Sequence, residues 1–136
     1  MSAILRTIII SSILLLPSSA WANCLKDTNG KVVCGAGQCL TNPNKQVICS
    51  QYKNGGCASD QAGEITCGKG DCLQGQDGKV VCSDFPEGGC GVNQNGEVIC
   101  GAGKCIKNKN GDIICGKTGQ SCMLNSNGEA ECGGQY

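Results

Sequence analysis

Fourteen cysteines carry the only chemistry that this chain repeats often enough to define it. A cysteine can be a nucleophile, a metal ligand or half of a disulfide, and spacing separates the three. From Cys24 the cysteines advance by 10, 5, 10 and 8 residues, take those four steps again, and finish with 10, 5, 10, 7 and 10. Redox pairs and zinc ribbons require Cys-x-x-Cys. Here the nearest neighbours have four residues between them. Histidine is absent, which removes the commonest general base and the usual partner of an activated nucleophile. The carboxylates are scattered one or two to a repeat instead of clustering as a catalytic pair. Neither a P-loop nor Gly-x-Ser-x-Gly occurs. The spacing therefore points to disulfides, with no catalytic residues, no cofactor and no cysteine metal site. All of Cys24, Cys34, Cys39, Cys49, Cys57, Cys67, Cys72, Cys82, Cys90, Cys100, Cys105, Cys115, Cys122 and Cys132 are expected in bridges, since an even count leaves no obligatory free thiol.

Calcium is the other ion to weigh. Asp27-Thr-Asn29-Gly30, Asn93-Gln-Asn95-Gly96, Asn108-Lys-Asn110-Gly111 and Asn125-Ser-Asn127-Gly128 echo the oxygen-rich start of a calcium loop. Most of these oxygens are amides, and no bidentate glutamate closes the loop. Turn chemistry accounts for Asn-Gly at such sites by itself.

The elements that position the cysteines follow from the ten-step. Cys24-Leu-Lys-Asp-Thr-Asn-Gly-Lys-Val-Val-Cys34 is one copy, and Cys72 to Cys82 and Cys105 to Cys115 are close variants. Seven such segments occur, six with glycine six residues after the first cysteine. Asn-Gly or Asp-Gly between apolar strands is a strong hairpin signal. A three-residue loop with Gly30 as the left-handed residue of a bulge sets Asp27 opposite Lys31, Leu25 opposite Val33 and Cys24 opposite Cys34. The cysteines then form a non-hydrogen-bonded pair, the closer kind, within disulfide reach. This register favours seven local bridges, each worth about 3 kcal/mol in the chain-entropy model. Bridges between neighbours, such as Cys34 to Cys39, stay open from sequence alone. In one copy Lys45 replaces the glycine and must go left-handed. In the last, Glu129-Ala130-Glu131 replaces the apolar strand, which reads as a polar cap.

Between hairpins the linkers alternate. Gly35-Ala-Gly-Gln38, Gly68-Lys-Gly-Asp71 and Gly101-Ala-Gly-Lys104 are short; Ser50–Gly56, Ser83–Gly89 and Gly116–Ser121 are long. Two hairpins make a unit of 33 residues, opening near residues 24, 57, 90 and 122. The expected fold is all-β and disulfide-rich: tandem short hairpins that stack or pair edge to edge in an elongated, solenoid-like array. Tyr52 and Phe85 occupy the same place in successive long linkers. They are read as packing over the joint between units, or else as a row of contact residues.

Residues 1–22 read as a signal peptide, with Arg6, an apolar run from Ile8 to Leu16, and Ala20-Trp-Ala22 before the cut. The run is too short to span a membrane, so no span is expected once it is removed. Residues 23–136 form the cysteine-rich repeat region. There, ten lysines face eleven carboxylates, with no basic patch for nucleic acid. Such cysteine density belongs to exported scaffolds, so the chain is expected to be secreted or periplasmic.

The step Cys34-Gly-Ala-Gly-Gln-Cys39-Leu, with the Gly-x-Val-x-Cys hairpin end, resembles repeats in small exported bacterial cysteine-rich proteins. The resemblance covers nearly all of residues 23–136 and implies an exported repeat protein without implying an activity. The function expected is a non-enzymatic exported repeat protein with a structural or protein-interaction role in the periplasm, at the cell surface or outside. Other proteins or further copies of the chain would be its partners. The alternative is a ligand module, either a calcium-dependent binder or a disulfide-rich inhibitor or toxin.

Overall fold

The computed structural model describes residues 23–134. The proposed signal peptide and Tyr136 lie outside them. The described residues form fourteen short strands and no helix, so none is long and apolar enough to cross a membrane.

The strands pair in sequence order as seven antiparallel hairpins: β1 (Asn23–Lys26) with β2 (Val32–Gly35), β3 (Cys39–Thr41) with β4 (Val47–Cys49), β5 (Cys57–Ser59) with β6 (Ile65–Cys67), β7 (Cys72–Gln74) with β8 (Val80–Cys82), β9 (Cys90–Val92) with β10 (Val98–Cys100), β11 (Cys105–Lys107) with β12 (Ile113–Cys115), and β13 (Ser121–Leu124) with β14 (Ala130–Gly133). The register is the expected one: Cys24 faces Cys34, Leu25 faces Val33 and Lys26 faces Val32. The other six hairpins also set cysteine against cysteine. All seven bridges are local, with Cα atoms 4.0–4.1 Å apart.

The loops explain the register. The Gly30 amide donates to Asp27 O, the Asp27 amide donates to Lys31 O, and Gly30 sits at φ 79°. Lys45 takes the same left-handed position at φ 66°, with the Cβ strain that glycine avoids elsewhere.

Hairpins stack face on face in place of merging into a wider sheet. Each two-stranded sheet stays separate, and the first strand of each hairpin lies against the first strand of the next. One face of every hairpin carries the disulfide together with the residues at the Lys26 and Val32 positions. The opposite face carries the Leu25 and Val33 positions. The disulfide face of one hairpin covers the opposite face of the one before. Thus Ile113 fills the space beside Gly91, where a Cβ would come within 2.8 Å of Cδ1. Likewise Cys57 Sγ lies 3.1 Å from Gln38 O, and Cys90 Sγ lies 3.1 Å from Asp71 O.

Two rails of backbone hydrogen bonds join the layers. At the base, the amide preceding each hairpin donates to the linker carbonyl of the next: Gln38 to Gly55 O, Gly56 to Gly70 O, Asp71 to Gly88 O, Gly89 to Gly103 O and Lys104 to Gln120 O. At the tips, Gln61, Gln76, Gln94 and Lys109 donate to the carbonyls of Gly78, Gly96, Gly111 and Gly128. Pro43 has no amide to give, and its ring packs against Gly63 instead. The short Gly-x-Gly linkers are shaped by this stacking. A Cβ at Gly35, Gly68 or Gly101 would fall 2.4 Å from the Cβ of the next hairpin's second cysteine. One at Gly37 or Gly70 would fall 2.4 Å from a carbonyl of the next long linker.

The core is correspondingly thin. Among the described residues the buried hydrophobic side chains are Cys49, Cys57 and Cys72, while the aliphatic side chains between layers stay half-buried or more exposed. Sulfur therefore supplies both the covalent closure and much of the buried apolar material.

Candidate contact surface

The long linkers place the chain's candidate contact residues. In the first, Ser50 is buried and its hydroxyl donates to Gly68 O at 2.8 Å, crossing to the next hairpin. The same oxygen accepts the Tyr52 amide at 3.3 Å. A turn follows, closed by the Gly55 amide on Tyr52 O, with Asn54 left-handed at φ 58°. The second linker repeats this atom for atom. The Ser83 hydroxyl donates to Gly101 O at 2.8 Å and accepts the Phe85 amide at 3.3 Å. The Gly88 amide closes on Phe85 O, and Glu87 is left-handed at φ 59°.

Tyr52 and Phe85 are each half exposed, on the same base edge of the stack. The two loops touch, since Asn54 Nδ2 donates to Glu87 Oε1. Between them runs the short linker 68–71, whose Lys69 holds its ammonium 5.6 Å from the Tyr52 ring centroid. A cation over a ring at that distance is worth about 0.5–1 kcal/mol at an exposed site. The result is a ridge of Tyr52, Lys69 and Phe85 on stiffly held backbone.

Tyr52 and Phe85 stood out in the sequence, and the fold brings them to one edge. Ser50 and Ser83, which hold them, did not stand out, and neither did Lys69. The signal was there: both long linkers spell Ser-x-aromatic-x-x-Gly-Gly.

The Asn-rich tips use side-chain oxygens within their own loops. Asp27 Oδ1 accepts the Asn29 and Lys31 amides, each at 2.9 Å. Asn93, Asn108 and Asn125 do the same with their own loops. An oxygen facing two N–H groups is turned away from a cation. Among the described residues, no three histidine, cysteine or acidic side chains converge as a metal site, and every cysteine is bridged.

No protein family, curated protein or solved structure matches the chain. Its class rests on its own geometry: a disulfide-closed, all-β stack of tandem hairpins. Seven disulfides suit an oxidising, extracellular type of environment.

Proposed function

We propose that the chain is a non-enzymatic exported repeat protein, working in the periplasm, at the cell surface or outside, whose stack presents its base edge to other proteins. One observation carries this reading. Two half-exposed aromatics recur at the same place in successive units, on loops that each use a buried serine and a left-handed residue to hold them, strained in the case of Glu87. Strain and buried hydrogen bonds concentrate where side-chain placement matters. Aromatic side chains are favoured at protein interfaces. The resemblance to exported bacterial repeat proteins points the same way. The rigid stack supplies the structural role and needs no cofactor.

The test is capture from the native environment with wild type and a Tyr52→Ala plus Phe85→Ala variant. The expected result is specific partners retained by wild type and reduced at least about tenfold by the variant, as loss of interface aromatics does. Unchanged partners would make the aromatics joint packing only. Fractionation checks the location, and recovery in a reduced cytosolic pool would count against export.

A further inference from the structure

The side of the stack formed by the second strands carries an apolar column that the base ridge does not use. In hairpins four to six, the residue before the second cysteine is Val81, Ile99 or Ile114, exposed by 43%, 39% and 38%. Their cross-strand partners on the same face are Leu73, Gly91 and Ile106, all half-buried. The stacking causes the difference. Both β11 and β12 lie against β9, and Ile113 of β12 fills the space beside Gly91. The following hairpin thus covers the first strand and leaves the second at the margin. Between hairpins four and five that margin opens into a groove of about 540 Å³, with Val81 and Val98 as its apolar part and Asp77 and Glu97 as its acids.

Carboxylates run beside the column. Residues two apart on a strand share a face, so Glu97 stands with Ile99 and Asp112 with Ile114, all four exposed. Asn93 Nδ2 donates to Glu97 Oε2 at 3.3 Å, which holds that carboxylate at the groove. Over residues 76–81, 94–99, 109–114 and 126–131, the tips and second strands of hairpins four to seven, five carboxylates meet two lysines, Lys79 and Lys109. The matching stretches of hairpins one to three, 28–33, 43–48 and 61–66, hold Glu64 against Lys31 and Lys45. Negative charge is therefore confined to the part of this side where the aliphatic residues are exposed. We propose that this side docks a basic amphipathic helix of another protein. Its apolar stripe would lie along Val81, Ile99 and Ile114, and its lysines or arginines would reach Asp77, Glu97 and Asp112. An aliphatic column crossing three layers matches the stripe of such a helix, and the carboxylates beside it select the charge. An anionic membrane surface would be repelled by the same carboxylates.

The test is fluorescence anisotropy on the full chain with its disulfides intact. The probe is a labelled helical peptide of leucine and lysine, with the leucines on one face. Saturable binding is expected, weakening as salt rises. A scrambled peptide of the same composition, and one with glutamate for lysine, should not bind. Glu97→Lys plus Asp112→Lys should weaken the lysine peptide by about tenfold or more and take up the glutamate peptide instead. Ile99→Ser plus Ile114→Ser should also cost about tenfold. Tyr52→Ala plus Phe85→Ala should bind as wild type does, which separates this surface from the base ridge. Thiol titration checks that each variant keeps its bridges, and Glu97→Gln plus Asp112→Gln, expected to weaken binding, replaces the charge reversal if that variant loses them. Equal binding of the scrambled peptide would overturn the apolar column. Unweakened binding by the charge-reversed chain would overturn the location, as would loss of binding in the Tyr52 and Phe85 variant. No saturable binding would overturn the surface altogether. So would a wild type that sediments as an oligomer and is made monomeric by Ile99→Ser plus Ile114→Ser, because a second copy would then be the occupant.

Discussion

The joints at residues 50–56 and 83–89 and the joint at 116–121 fill the same space from opposite sides. In the first two, a side chain enters from the residue after the cysteine, Ser50 or Ser83, and glycine stands five residues later, at Gly55 or Gly88. A Cβ at Gly55 would fall 2.2 Å from Gly68 O and 2.3 Å from Ser50 Oγ. In the third joint the order is reversed. Glycine stands first, at Gly116, and Gln120 brings the side chain; a Cβ on Gly116 would meet Gln120 Cβ at 2.9 Å. Gln120 also does for its loop what serine does in the others, accepting the Lys117 amide on Oε1 at 3.0 Å. The left-handed place passes from Asn54 and Glu87 to Gly119, and the aromatic place passes to Lys117. The stack requires one side chain and one glycine at each joint, but not a given order. The left-handed, aromatic version is an addition to that minimum, which is why the proposed contact role rests there.

The sharpest way to break this contrast is Gly55→Ala. The added methyl meets a backbone carbonyl of the next hairpin, which cannot swing aside as a side-chain end could. The expected loss is about 3 kcal/mol, at the upper end for overpacking. Gln120→Ala at the matching place should cost less than about 1.5 kcal/mol, the value of one ordinary hydrogen bond. Denaturation by guanidinium with disulfides intact measures both. Equal losses would show that the two kinds of joint are not alternatives.

Next in size is Ser83→Ala. It strips Gly101 O of its donor and the Phe85 amide of its acceptor in a buried place, at a cost of about 1–3 kcal/mol. The reverse exchange, Gly116→Ser, should not stabilise the third joint, because Gln120 already holds the space a hydroxyl would need. Amide exchange at Phe85 and at Lys117 reads the two joints separately. A stabilised Gly116→Ser would contradict the account of reciprocal filling.

Tyr52→Ala should cost still less, about 1 kcal/mol or under. The ring is half exposed, and its pairing with Lys69 is an exposed cation–π contact. A loss of several kcal/mol in the same denaturation series would make Tyr52 a joint filler and remove the reason for treating it as surface.

The hairpins were legible because their causes are local. Gly30 and its counterparts mark the left-handed place, and counting outward from that place sets cysteine against cysteine, even at Lys45. The stacking was less legible. Sequence left face-to-face and edge-to-edge packing open, since both bury the same half-apolar strands. Glycines such as Gly91 and Gly68 decide it, because they make room for Ile113 and Cys82 of the following layer. That meaning appears only once the layers are placed. The serine clamps were hidden for a related reason. The Ser50 hydroxyl bonds to Gly68 O, and a backbone carbonyl leaves no mark on the residue type that bears it.

The smallest effect expected is also the most diagnostic of the contrast. Glu87 occupies a left-handed conformation that costs a side-chain-bearing residue about 1–2 kcal/mol. Glu87→Gly removes that cost. It also frees the unfolded chain, which takes back about 0.5–1 kcal/mol, and it loses the Asn54 contact. The net should be a gain below about 1 kcal/mol. Gly119→Ala runs the exchange backwards in the third joint, at φ 75° with open space around the Cβ. Backbone conformation alone then sets its cost, about 1 kcal/mol. Lys45→Gly is the control, a left-handed residue at a tip and away from the proposed contact edge. If strain at Glu87 serves the contact surface, Glu87→Gly should gain stability yet weaken partner capture, whereas Lys45→Gly should gain stability and leave capture unchanged. Capture unchanged in both would reduce Glu87 to the same status as Lys45, a turn residue that was never replaced by glycine.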